Sequence, residues 1–397
     1  MGDLLSIEEA LRLVLERARP LPAETVPLAE AAGRVLAEPA VASVDLPPFD
    51  SSAMDGFAVR AADTPGELPV GFRIAAGQPS PRPLEAGEAM GIATGAAVPP
   101  GADAVIPVEY VVDGDNRVAI EQPVQPGASV RPRGGDARRG DRVVAAGERL
   151  GPAQLGALAA AGVAEVSCAR RPRAAVLTTG SELRLPGEQL EPGQIYEANG
   201  VILATQLVSA GAEVERLPAV ADEPGAHRDA LERGLAEDVL VSSGGVSVGP
   251  HDLVRSVGAE LGIEQVFWRV AVKPGKPLWF GVRGETLVFG VPGNPVSTLV
   301  SFELFVRPAV LALQGATDPG PRFALGTLAA GVRRNAARDE LLRARSSVED
   351  GELVLRPVTG QDSHMIVRAA EADALVLVPR GDGEISPGDR VRYLPLG

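Results

Sequence analysis

The chain has 397 residues, 45% of them hydrophobic and only 4% aromatic, enough for roughly two to four domains with cores of Ala, Val and Leu. A net charge of −14 works against nucleic acid or an anionic membrane as main partner. The lone cysteine, Cys168, excludes an intrachain disulfide, a CxxC zinc site and paired-thiol redox chemistry. His227, His251 and His364 are too scattered for a histidine cluster, so a bound metal would be a hard cation on oxygen ligands, Mg²⁺ by default.

The opening MGDLLSIEEALRLVLERARPL has early acids and lacks the basic-then-apolar order of a signal peptide. Ile7, Ala10, Leu11, Val14, Leu15 and Ala18 predict a helix over 6–18, and a second short helix is expected over about 26–37. Residues 41–140 are dense in Pro and Gly with short apolar runs (PVGFRIAAG, AVIPVEYVV, RVAIEQPV), which reads as a small β domain. Helical character returns at 152–161. Segments 1–40 and 141–170 are therefore expected to form one discontinuous helical/mixed domain, with 41–140 inserted into it.

From 171 to 317 apolar strands alternate with helices: RAAVLTT, a helix NGVILATQLVSAG, AEVERLPAV, a helix through 224–236, then DVLVSS. A helix from about 251 follows, then EQVFWRVAV, the pair PLWFGV and TLVFGV, and a long helix from 295. This alternation predicts an α/β domain on a central parallel sheet covered on both faces. The apolar run 295–313 is broken by Glu303 and Arg307, as in a buried helix rather than a membrane span. The tail 318–397 has short β runs with Gly turns and is expected to form a small barrel-like β domain. The fold class is thus multidomain α/β plus β, and the expected compartment is the cytoplasm.

Ligands of open α/β sheets bind at the carboxyl ends of the strands. Three such ends carry small polar loops: TTGSE (178–182), SSGGVSVGPHD (242–252) and GVPGNPVS (290–297). Their glycines let backbone N–H groups approach a phosphate. Candidate contacts are Ser242, Gly244, Gly245, Ser247, Pro292, Pro295 and Ser297. Glu182, Asp222 and Asp252 sit at the same edge and could hold Mg²⁺ against a phosphate. The 38 Lys and Arg include only two lysines, Lys273 and Lys276, both in VKPGKP. A compact ammonium reaches an oxyanion where a guanidinium fork does not fit. Outside this unit, DLPPFDSSAMDGFAV (45–59) offers Asp55 on a Pro-stiffened loop, suited to a positioned acid or base, and RPRGGDARRGD (131–141) is a basic loop.

These segments, with ATGAAVPPGADAVIPVE and the tail ELLRAR…TGQDSHM, resemble in order the motifs of the molybdopterin molybdenumtransferase family, whose eukaryotic relative is the C-terminal region of gephyrin. The resemblance implies an elongated four-domain subunit in a homodimer, with a site between the α/β domain of one subunit and the β domain of the other. Substrates would be adenylylated molybdopterin and molybdate; AMP and finished cofactor would leave, with Mg²⁺ assisting. It implies that Asp55, Thr94, Asp136, Glu182, Asp222 and Asp252 surround nucleotide and metal, with Asp55, Asp136, Glu182 and Asp252 catalytic. Lys273, Lys276, Ser297, Arg338, Arg343 and Ser363 would meet molybdate or phosphate oxygens.

The chain departs from the family pattern at Phe57 (usually a phenol), at Arg269 in FWRV, and at Ser181, where an acid often stands. The last removes a possible metal ligand. Alternatives are the adenylyltransferase that activates the pterin, which resembles the α/β unit alone, a gephyrin-like peptide-binding scaffold, and a relative tuned to tungstate. Transient contact with other molybdenum-cofactor enzymes is a further expectation.

Overall fold

A computed structural model describes residues 4–245 and 253–396. The first helix, Ile7–Leu15, starts at a reciprocal cap: Glu9 N donates to Ser6 Oγ (3.1 Å) and Ser6 N to Glu9 Oε2 (2.8 Å). Its buried Ala10 and Val14 pack into the core of the α/β unit. The helix expected at 26–37 is corrected. Strand Ala23–Pro27 pairs antiparallel with Glu165–Ala169, and only one 3₁₀ turn, Leu28–Glu30, follows. Val26 lies opposite Val166, and both share a core with Leu36, Val144, Leu158 and Cys168. A partner so distant in sequence overrides the local helical pattern.

The inserted segment holds a six-stranded sheet in the order Ala104–Pro107, Gly56–Val59, Ala89–Ile92, Gly66–Ile74, Arg117–Ile120, Val111–Asp113. Asp55 immediately precedes the buried strand Gly56–Val59.

The α/β sheet runs Glu213–Arg216, Arg173–Thr178, Val239–Ser243, Thr286–Val291, Trp279–Arg283, Glu264–Trp268. The first four strands are parallel, as expected, and their apolar residues are buried against helices on both faces. The last two are antiparallel. Only Gly284 (φ +60°) and Glu285 separate Arg283 from Thr286, and so short a connection can only make a hairpin. Helix Pro295–Leu313 is long and apolar enough to cross a membrane, but 78% of that window is buried inside the protein. Its charges pair internally, Arg307 Nε lying 2.6 Å from Glu303 Oε2 across a π-helical turn.

In the C-terminal region five strands close into a barrel: Asp339–Glu349, Glu352–Pro357, Ala324–Leu328, Arg390–Pro395 and Ala374–Val378, the last pairing back to the first. A sixth, Val272–Lys273, comes from the α/β segment and pairs parallel with Asp339–Glu349. The lysine motif therefore bridges sheet and barrel.

Candidate active site

At the carboxyl ends of the parallel strands lies a cavity of about 650 Å³. Thr178, Thr179, Gly180 and Glu182 line it from the first loop, Ser243, Gly244 and Gly245 from the second, and Gly293, Asn294 and Pro295 from the third; Asp222 and His364 also face it. Adjacent residues in a strand point to opposite faces, which separates the two serines of SSGG. Ser243 lines the cavity, whereas Ser242 is fully buried beneath it, with its Oγ 3.4 Å from the Phe289 carbonyl. Ser242 is therefore not a ligand contact. Ser247 and Asp252 lie outside the described residues.

The loops are stitched together by polar contacts. Asn199, the first residue of helix Asn199–Ser209, donates its Nδ2 to Ser243 Oγ (2.8 Å) and to the Gly293 carbonyl (2.7 Å). Thr179 N donates to the Ser243 carbonyl (3.1 Å), and Asp222 N to Ser181 Oγ (3.2 Å). Gly244, at φ +93°, runs so close to the first loop that a Cβ would sit 2.8 Å from the Thr179 carbonyl oxygen. Only glycine suits that backbone, and it leaves room for a phosphate to approach.

Glu182 and Asp222 both line the cavity. They are oxygen donors of the kind Mg²⁺ takes, and it typically binds through one or two carboxylates with phosphate oxygens. Among the described residues no three acidic or metal-ligating side chains converge. Two carboxylates are a partial donor set, so a cation here would need further ligands from outside these two side chains.

Neither lysine lines this cavity. Their loop packs against the helix that begins at Pro295: a Cβ on Gly275 (φ +119°) would lie 3.0 Å from Ser301 Oγ and 3.9 Å from the Ser297 carbonyl. Ser297 itself is 4% exposed. Lys276 is exposed and has no ion pair among the described residues, while Lys273 Nζ lies 2.8 Å from Glu340 Oε1. Arg338, half-buried, immediately precedes the barrel strand beside Lys273. Pro292 contributes its carbonyl, which accepts from Thr298 Oγ1 (2.7 Å), and so fixes the third loop.

The barrel reaches the same helix through Ser363. Its carbonyl accepts from Val296 N (3.1 Å), and its Oγ lies 2.9 Å from Asn294 Nδ2. Arg343 needs correction as an oxyanion ligand. It is 1% exposed, and its guanidinium donates to the carbonyls of Met365 (2.8 Å), Gly360 (2.8 Å) and Asp362 (3.2 Å). Burial pushes its pKa below the ordinary arginine value, with the Asp362 carboxylate acting the other way. Arg343 shapes the 360–365 loop that presents Ser363. Asn199 and Asn294 went unread in the sequence, and His364 was weighed only as a metal ligand; the Asn-Gly opening an apolar helix and the asparagine inside PGNP were the available signals.

Asp55, Thr94 and Asp136 are elsewhere. Asp55 Oδ1 accepts from Thr94 N (2.6 Å) and Thr94 Oγ1 (2.9 Å), which holds its carboxyl below the usual aspartate range. Beside it opens a second hollow of about 340 Å³, floored by Phe57, with the Arg73 guanidinium 5.5 Å from that ring. Asp136 is exposed on the 131–141 loop, which is tied to the Pro-stiffened loop by Arg133 Nε–Asp45 Oδ2 (2.6 Å) and Arg133 N–Asp50 Oδ1 (2.7 Å). None of Asp55, Thr94 and Asp136 lines the sheet-edge cavity.

Three family models match in succession: "MoeA N-terminal region (domain I and II)" over 5–162, "Probable molybdopterin binding domain" over 175–312, and "MoeA C-terminal region (domain IV)" over 326–396. The chain is 37% identical to molybdopterin molybdenumtransferase 2 of Mycobacterium tuberculosis, covering 98% of this chain and 99% of that one. It is 34% identical to the molybdopterin molybdenumtransferase of Haemophilus influenzae, covering 99% of each. A crystal structure of the molybdopterin biosynthesis moeA protein of Pyrococcus horikoshii superposes with a TM-score of 0.85 at 29% identity, covering 99% of this chain and all of that one.

Proposed function

The chain belongs to the molybdopterin molybdenumtransferase family, and we propose that its sheet-edge cavity holds adenylylated molybdopterin while the lysine loop presents molybdate. Its activity is the family's transferase reaction in molybdenum-cofactor biosynthesis. The observation that carries the placement is the convergence of three strand ends on one cavity, with the lysine loop packed on the helix that starts at its wall.

The N–H groups around Gly244 and Gly245 cradle phosphate, and Asn199 keeps the second and third loops in register around it. Glu182 and Asp222, with Asp252, would hold Mg²⁺. Bound there, it would neutralise phosphate charge as the phosphoanhydride is cleaved by water to release AMP. Asp55, kept ionised by Thr94, is suited to take the proton of that water. Lys276 and Ser297 bind the molybdate oxygens, with Arg338 and Ser363 beside them. Ammonium and hydroxyl donors stabilise the dianion while its molybdenum passes to the dithiolene sulfurs and its displaced oxygens leave as water.

Asp55 and Asp136 complete the site from a second subunit. Their distance from the cavity of their own chain supports this reading. So does helix Asn199–Ser209, which carries no charged residue and exposes Val201 (45%) and Val208 (60%), as a subunit interface would. The working compartment is the cytoplasm. Purified protein supplied with adenylylated molybdopterin, molybdate and Mg²⁺ should release AMP and yield cofactor that activates an apo-molybdoenzyme, without consuming ATP. ATP-dependent adenylylation of molybdopterin with no cofactor formed would overturn the proposal in favour of an adenylyltransferase.

A further inference from the structure

The two lysines of VKPGKP are not equivalent. Lys276 is exposed without an ion pair among the described residues, whereas Lys273 Nζ sits 2.8 Å from Glu340 Oε1 on the barrel. Glu340 is 7% exposed. Backbone register sets this pair. Strands Val272–Lys273 and Asp339–Glu349 run parallel with Lys273 opposite Glu340, and Asp339 N donates to the Ala271 carbonyl (3.0 Å). Residues directly opposite in neighbouring strands project from the same face of the sheet. The carboxylate is thus fixed by burial and the lysine stem by pairing, while the lysine side chain stays 44% exposed.

We infer that Glu340 is a positioning residue for the Lys273 ammonium, aiming it at the oxyanion substrate; this rests on the reading that the lysine loop presents molybdate. An ammonium carries three N–H donors, more than one carboxylate oxygen takes. Held at Glu340, Lys273 keeps donors for a second acceptor. A free lysine would have to order its long side chain on each binding event, and the pair removes that cost in advance. Because Glu340 belongs to the barrel, the barrel contributes to the oxyanion corner through Lys273 as well as through Ser363.

The test is a double-mutant cycle read as molybdate KM and kcat at saturating adenylylated molybdopterin, with thermal unfolding followed in parallel. Glu340→Gln keeps the shape and removes the charge. It should raise molybdate KM by about 5- to 10-fold, with kcat within about twofold and nucleotide affinity unchanged. Lys273→Met should raise KM at least as much, and Lys273→Met with Glu340→Gln should be no worse than Lys273→Met alone. A Glu340→Gln variant that lost only thermal stability, or that lowered molybdate KM, would overturn the inference and leave the lysine reading intact. Additive effects in the double variant would overturn it too. Wild-type molybdate KM in Lys273→Met would overturn both.

Discussion

Asp55 and Thr94 form a closed pair, with one carboxylate oxygen accepting from both the amide (2.6 Å) and the hydroxyl (2.9 Å) of a residue 39 positions away in sequence. Both bonds favour the ionised form, and the backbone bond contributes most to the lowered pKa. A carboxylate with a depressed folded-state pKa adds stability above its unfolded pKa and loses it as pH falls through the folded value. Asp55 is fully exposed, so little stability rides on it, and its proposed role as proton acceptor would show in the rate. Thr94→Val keeps the amide and removes the hydroxyl. Its acidic limb of kcat/KM should move to higher pH with the alkaline limb unchanged. An unmoved acidic limb would show that Asp55 is not the group titrating there.

Arg343 joins its carbonyl partners to a reciprocal exchange with Gln361, whose Oε1 accepts from Arg343 N (3.1 Å) and whose Nε2 donates to the Arg343 carbonyl (2.9 Å). Lysine cannot reproduce the planar fork. Arg343→Lys should destabilise the protein by about 2–4 kcal/mol in urea unfolding, through buried carbonyls left without donors. Retained stability with lost molybdate response would instead restore Arg343 to direct contact with the anion.

The proposal that a second subunit completes the site can be tested by complementation. Asp55→Asn and Glu182→Gln homodimers should each be inactive. After subunit exchange, half the dimers would be mixed, each with one intact site, giving about a quarter of wild-type turnover. No recovery despite demonstrated exchange would place both acids in a site within one chain.

Much of the fold was legible because burial leaves a direct trace. Near-continuous apolar runs mark the strands Arg173–Thr178, Val239–Ser243 and Thr286–Val291, and 3.6-residue spacing marks helix Ile7–Leu15. What was missed depends on partners far along the chain. Val26 is in a strand because Val166 lies opposite it. In the site, the loops could be read from their glycines and acids. Which serine of SSGG faces the cavity follows only from strand register. Arg343 reads as an anion ligand until its burial is known, and the work of Asn199 lies in tying together loops that sequence keeps about 50 residues apart.

Lys276 carries the proposed oxyanion contact, in a chain that uses arginine everywhere outside VKPGKP. An ammonium donates from one compact centre, and a guanidinium is wider and planar. The decisive measurement is cofactor formed across a molybdate titration by wild type and by Lys276→Arg, with nucleotide binding followed separately. The expected result is a folded variant that binds adenylylated molybdopterin normally and loses most molybdate-dependent turnover. A molybdate response in Lys276→Arg indistinguishable from wild type would remove this lysine, and with it the oxyanion corner proposed around VKPGKP, from the reaction.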